Sequence, residues 1–118
     1  MILSEKHIQS LAPDNISYEK AKPLATTRKW RNLAGNEEVI WGECKSSGAA
    51  FYKTLIKPKE ELFKCNCPSR KHPCKHSLAL FKIYIQNSEA FKVSEDLQDW
   101  VSDWLENLPG KGLESTNS

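Results

Sequence analysis

The stretch that decides the fold of this chain is residues 65–76, which read CNCPSRKHPCKH. It holds a C-x-C pair, a spacer of six residues and a C-x-H pair. The four side chains, Cys65, Cys67, Cys74 and His76, form a donor set that Zn²⁺ accepts in closed tetrahedral sites, with no position left for water. The pattern therefore predicts one structural zinc ion.

The spacing also predicts the backbone around these residues, a strand that leads into a helix. Side chains two apart on a strand share a face, so Cys65 and Cys67 can reach one ion from a strand end. Side chains two apart on a helix diverge by roughly 200°, so Cys74 should precede the first full turn. Pro73 suits a helix start, where its missing N–H is not needed.

Two alternatives to this metal site start from the same cysteines. Free thiols that merely cluster are one, and a redox site is the other, although redox sites more commonly show C-x-x-C beside a βαβ unit. His72 could replace His76, but the offset of His76 from Cys74 favours His76. Cys44 lies on a predicted strand, and we interpret it as a small buried residue rather than a ligand, because free cysteine is often buried.

The segments before the cluster predict helices and then strands, and so an α+β fold. Two short N-terminal helices are expected, with Pro13 ending the first and Asp14 or Asn15 capping the second. The inner face of the second helix should contain Ile16, Ala21, Leu24 and Ala25. Residues 39–41, 50–57 and 62–64 then predict a small antiparallel β-meander, with turns at 35–36 and 45–48.

The segments after the cluster predict two helices. The first carries Leu78, Phe81 and Ile85 at helical spacing. The second runs from about 95 to 108, capped by Ser94, with one apolar stripe. That stripe comprises Leu97, Trp100, Val101, Trp104, Leu105 and Leu108.

The length of 118 residues predicts one domain over 1–110. Its zinc finger core should span about 50–87, with the zinc site between the last strand and the following helix. Residues 111–118 look like a flexible polar tail.

Charge is distributed unevenly along the chain, although the net charge is only +2. Residues 53–82 hold eight Lys or Arg and two Glu, a net +6, whereas residues 83–118 hold two Lys and seven acidic residues, a net −5. A basic middle can attract polyanions, and an acidic end can repel them or cover the basic patch. The N-terminus shows no apolar leader, so we expect a cytoplasmic protein, in which clustered cysteines suggest metal before disulfide.

Two sets of residues are candidate binding surfaces. Lys64, Arg70, Lys71 and Lys75 flank the cluster and predict either a solvated basic loop or phosphate contacts. Trp100 and Trp104 share one stripe, which either packs on the domain core or docks a partner.

The cluster resembles the SWIM-type zinc finger, whose pattern is C-x-C, a variable spacer and C-x-H. Further similarity to small bacterial SWIM proteins lies in Trp41-Gly42-Glu43-Cys44, Ser47-Gly48, Ala12-Pro13-Asp14 and Trp30, so that the resemblance covers roughly residues 8–85. It places Cys65, Cys67, Cys74 and His76 on the family's ligand positions. It implies zinc binding and contact with DNA or proteins. Relatives encoded beside AAA+ ATPases and von Willebrand A-type proteins hint at a role in protein assembly.

These observations favour a binding protein over an enzyme. A closed Cys₃His shell has no open coordination site for Lewis-acid chemistry, and no phosphate-binding Gly-rich loop or Ser-His-Asp set stands out. We expect a protein partner and no membrane or small-molecule substrate. The alternative is a sequence-nonspecific nucleic-acid-binding protein that uses the basic segment 53–82.

Overall fold

A five-stranded mixed sheet organises the fold, and helices cover both of its faces. The computed structural model describes residues 5–45, 48, 50–68, 73–94 and 97–107. The elements are α1 (Glu5–Leu11), α2 (Asn15–Ala21), β1 (Trp30–Gly35), β2 (Ile40–Lys45), β3 (Phe51–Lys57), β4 (Leu62–Cys65), α3 (Lys75–Gln86), β5 (Lys92–Val93) and α4 (Asp99–Asn107). The strand order is β4-β3-β2-β1-β5, antiparallel except for the parallel pair β1–β5.

The two N-terminal helices confirm the prediction, but the inner face of α2 was partly wrong. The side chain of Asp14 accepts a hydrogen bond from the Ser17 N–H at 2.7 Å and so caps α2. Tyr18 and Ala21 are buried, whereas Ile16 is 60% exposed. Ile16 lies two residues before Tyr18, and positions two apart on a helix point in diverging directions.

Strand β1 was missed, because its side chains do not alternate. The pairing of β1 with β2 shifts between Arg31 and Ala34, and Asn32 in that interval has a φ of 57°. A bulge of this kind inserts a residue and breaks the period-2 pattern from which strands are predicted. β5 was also missed, since a strand of two residues is too short to show a period.

Helix α4 begins four residues later than predicted, and Ser94 does not cap it. The carbonyl of Gln98 accepts hydrogen bonds from the N–H groups of Val101 and Ser102, so the helix starts directly after Gln98. Leu97 packs with the α4 side chains but is not helical. Because it fits the spacing of the apolar stripe, the sequence predicted a helix that begins too early. The predicted positions 95, 96 and 108 lie outside the described residues, as do 111–118.

Each face of the sheet has its own apolar cluster. On one face, Ile40, Cys44 and Ile56 pack with α3, α2 and α1. On the other face, Val39, Trp41 and Leu55 pack with Val101 of α4. No helix within the described ranges is long and apolar enough to cross a bilayer.

Candidate metal centre

The four predicted ligands lie together at the junction of β4 and α3. The ligand atoms of Cys65, Cys67, Cys74 and His76 are all within 4.8 Å of one another. Zinc bonds of about 2.0–2.3 Å in a tetrahedron place ligand atoms roughly 3.5–4 Å apart. The donor set and its spacing therefore suit one zinc ion, which small side-chain adjustments would bring into contact with all four.

The helix start delivers the second pair of ligands as the spacing required. Cys74 is the N-cap of α3, with an extended backbone at φ −81° and ψ 174°. His76 follows in the first turn, and its Nδ1 lies 3.9 Å from the Cys74 sulfur. Because Cys74 precedes the helical backbone, both side chains can point at one position.

A clamp on Asn66 fixes the loop between the first two ligands. The Asn66 N–H donates to the Lys53 carbonyl at 3.2 Å, and the Lys53 N–H donates to the Asn66 side-chain oxygen at 2.9 Å. These two bonds continue the β3–β4 pairing one residue past Cys65. They hold the C-x-C segment against the sheet.

Two buried hydroxyls contact the ligand sulfurs. Thr54 Oγ1 lies 3.2 Å from the sulfur of Cys65, and Ser77 Oγ lies 3.6 Å from the sulfur of Cys74. Thr54 and Ser77 are 0% and 1% exposed. When the sulfurs are thiolates, each hydroxyl can donate to one of them and orient it, as outer-shell groups do in metal sites.

The ring of His76 is held by an aromatic neighbour. The Tyr52 and His76 rings are 4.9 Å apart between centroids and tilted by 49°. Tyr52, on β3, is half-buried. Tyr52 therefore lies against a predicted metal ligand.

One thiol of the cluster, that of Cys74, is poised to release its proton. A hydrogen bond from the Cys65 thiol lowers the pKa of Cys74 to about 3 and raises the pKa of Cys65. The pair thus shares one proton between two sulfurs, which concentrates negative charge where a cation would bind. Zinc bound by all three cysteines would require each of them as a thiolate, so acidification should weaken metal binding.

Sequence reasoning missed Thr54, Ser77 and Tyr52. Ser77 carried a local signal, since it lies three residues after the N-cap, where a side chain reaches back to the cap. Thr54 reaches Cys65 only through the β3–β4 register, and Tyr52 reaches His76 only through the packing of α3 on the sheet. No spacing in the sequence records either contact.

The four candidate basic residues do not form one group around the cluster. Lys75 is exposed at the first position of α3. Lys64 lies next to Cys65 on β4, but its Nζ is 5.3 Å from the ring centre of Trp104, on the opposite face of the sheet. Arg70 and Lys71 lie outside the described residues, as does His72.

The tryptophan pair packs on the sheet of its own chain. The rings of Trp100 and Trp104 meet edge to face at 4.9 Å. Both are half-buried beside Trp41 and Val101, and the Nζ of Lys53 lies 5.9 Å from the Trp100 ring centre. These contacts favour the core interpretation of the stripe, and its role as a docking surface stays a prediction.

Cys44 is fully buried and is not part of the four-ligand group that the described residues form. Burial raises its pKa to about 11. A thiol whose pKa is raised by folding contributes stability that is fully present below its ordinary pKa, and this stability is lost as the pH rises through the folded-state pKa.

Replacement of Cys44 by alanine should therefore change how stability depends on alkaline pH. Between pH 9 and 11, the zinc-loaded protein should lose up to about 2–3 kcal/mol more stability than Cys44→Ala, at about 1.4 kcal/mol per pKa unit. Urea unfolding at a series of pH values measures the difference. Parallel pH profiles for the two proteins would contradict the burial of a neutral thiol.

Comparison with known proteins agrees with the geometry. The family model described as SWIM zinc finger matches residues 54–85. This match begins at Thr54 and ends in α3, so it is narrower than the resemblance over 8–85. No curated protein and no solved structure matches the chain. Residues 54–85 of this chain are thus a SWIM zinc finger, with Cys65, Cys67, Cys74 and His76 as its metal-binding cluster.

Proposed function

We propose that this chain is a binding module and not an enzyme, and that a structural zinc ion fixes its interaction surface. The closed Cys₃His cluster between β4 and α3 carries the proposal, because four protein ligands leave zinc no open position for catalysis. A reducing cytosolic setting would keep the thiols available for metal.

A protein is the partner that the charge distribution supports best. The net charge of +2 is low, and the aromatic rings of α4 cover two lysines of the basic segment, Lys53 and Lys64. Such contacts leave less free positive charge for a polyanion than the sequence of 53–82 promises.

Zinc-dependent capture tests this role. The tagged, zinc-loaded chain, its Cys67→Ser variant and a Cys44→Ala control would be crosslinked in a native lysate and compared by quantitative mass spectrometry. We expect specific proteins to be enriched by the wild type and the control and lost with Cys67→Ser. Equal profiles for all three proteins, or no enrichment at all, would contradict the proposal.

Nucleic acid is the second candidate, and the position of two exposed lysines favours it. The positive charges of Lys29 and Lys75 both act on the Cys44 thiol and lower its pKa against the larger effect of burial. Both lysines are exposed. Lys29 precedes Trp30, which pairs with Cys44, and Lys75 follows the ligand Cys74, so both lie at the end of the sheet that carries the metal cluster. Lys29 lies outside the basic segment 53–82 and was not a sequence candidate.

Charge reversal of this pair gives the test. If nucleic acid is the partner, the Lys29→Glu/Lys75→Glu variant should bind DNA more weakly. The slope of log K against log salt should flatten by about 0.9 per lost phosphate contact for double-stranded DNA and by about 0.7 for single-stranded DNA. Fluorescence anisotropy with single- and double-stranded DNA at several salt concentrations measures both, with exposed Lys20→Glu as the matched control. Absence of binding at low salt, or equal affinities for all variants, would reject this candidate.

A further inference from the structure

We propose that a groove at the end of the sheet remote from the metal centre binds an extended partner segment that alternates apolar and basic residues. The groove has a volume of about 810 Å³ and lies between the β1–β2 loop, the C-terminal end of α3 and β5. The inference rests on the proposed function, since it names where and how the module would hold a protein.

The floor of the groove is apolar. Ile40, Tyr84 and Phe91 line it, and the rings of Tyr84 and Phe91 meet edge to face at 5.6 Å. Val93 stands at its margin with 81% of its surface exposed, one of only two large apolar residues in the described ranges that are so exposed. An exposed valine beside an apolar floor gives a partner's apolar side chain area to bury.

The rim of the groove is acidic. Glu37 and Glu38 line it and are exposed, and no ion pair to either was found among the described residues. Lys92 precedes Val93 on β5 and therefore faces the other side of the sheet. The groove thus presents two carboxylates to a ligand, which favours Lys or Arg.

The end of α3 adds to this negative potential. Its last turn carries no basic residue, and the unpaired carbonyls at a helix C-terminus carry partial negative charge. The metal cluster lies at the other end of α3, roughly 18 Å away along a helix of 12 residues. The acidic rim and the metal centre therefore lie at opposite ends of one helix.

The backbone around the groove is suited to an extended ligand. The Asn36 side chain accepts hydrogen bonds from the N–H groups of Glu38 and Val39 at 2.7 and 3.1 Å, so the loop is held in one shape. An extended segment lying in the groove, with successive side chains pointing to opposite sides, would place its apolar set on the floor and leave its basic set free to reach the acidic rim. A loop already held in one shape lowers the ordering cost of binding.

Backbone amide shifts of the full-length, ¹⁵N-labelled, zinc-loaded chain test the proposal. The probe is an acetylated hexapeptide of alternating lysine and valine, and the control peptide has glutamate in place of lysine. We expect the basic peptide to shift amides of residues 35–40, 84 and 91–94, and the acidic peptide to shift none of them. Absence of shifts, shifts confined to α4, or equal binding of both peptides would overturn the proposal.

Neutralisation of the rim separates this inference from the role of the whole module. The Glu37→Gln/Glu38→Gln variant should bind the basic peptide about tenfold more weakly, since each exposed ion pair contributes about threefold, whereas exposed Glu106→Gln should not change the affinity. If the rim variant captures the same lysate proteins as the wild type, the proposed groove is wrong, whereas the proposed binding function is not contradicted. If neither protein captures any partner, the proposed binding function itself is wrong.

Discussion

Replacement of Cys67 by serine is expected to abolish zinc binding and unfold the segment from β3 to the start of α3. Structural zinc contributes about 10–16 kcal/mol in small zinc fingers, which is comparable with the whole net stability of a domain, about 5–15 kcal/mol. Cys67 is only half-buried and belongs to neither apolar cluster, so serine removes a ligand without opening a cavity. The loss of stability therefore reports the metal.

Native mass spectrometry and thermal unfolding by circular dichroism measure the two parts of this expectation. The wild type should carry one zinc ion per chain and lose it to a chelator together with its cooperative transition. Cys44→Ala removes the one cysteine outside the cluster, and it should keep the metal. A wild-type melting curve for zinc-free Cys67→Ser would refute a structural role for the ion.

The sequence was sufficient for the ligands because they are set by local spacing. A C-x-C pair at a strand end and a C-x-H pair at a helix start need only the periods of strand and helix, and both lie within 12 residues. Thr54 and Tyr52 could not be assigned in this way. They reach the site through strand register and helix packing, which join residues distant in sequence.

The distribution of charge along the sequence was the poorest guide to where charged side chains lie on the folded surface. Lys64 and Cys65 are neighbours in sequence, yet they face opposite sides of the sheet, where Lys64 contacts Trp104 and Cys65 contacts Thr54. Lys29 is far from the cluster in sequence, yet it lies next to Trp30 at the end of the sheet that holds the cluster. A count of charges over 53–82 leaves it out. The fold decides on which face and at which end of the sheet a charged side chain lies, and a net charge summed along the sequence contains neither piece of information.

Helix α4 offers a test of whether the tryptophan stripe is core or docking surface. Val101 is 0% exposed and packs with Val39, Trp41 and Leu55 of the sheet. Val101→Asp would bury a carboxylate there without a partner, which should cost about 3–5 kcal/mol. The sheet face under α4 would then be exposed, since these three side chains are at most 2% exposed in the fold.

Urea unfolding followed by tryptophan fluorescence distinguishes the two roles. If α4 is part of the core, Val101→Asp should lower the urea midpoint of the single unfolding transition, whereas Asp103→Asn, on the exposed side of the same helix, should leave it within about 0.5 kcal/mol. If α4 is a detachable docking element, the sheet and α3 should keep their wild-type midpoint in Val101→Asp, and only the signal of Trp100 and Trp104 should change. The latter result would assign these two tryptophans to the partner-binding surface, because the packing of α4 on the sheet would then contribute nothing to the stability of the fold.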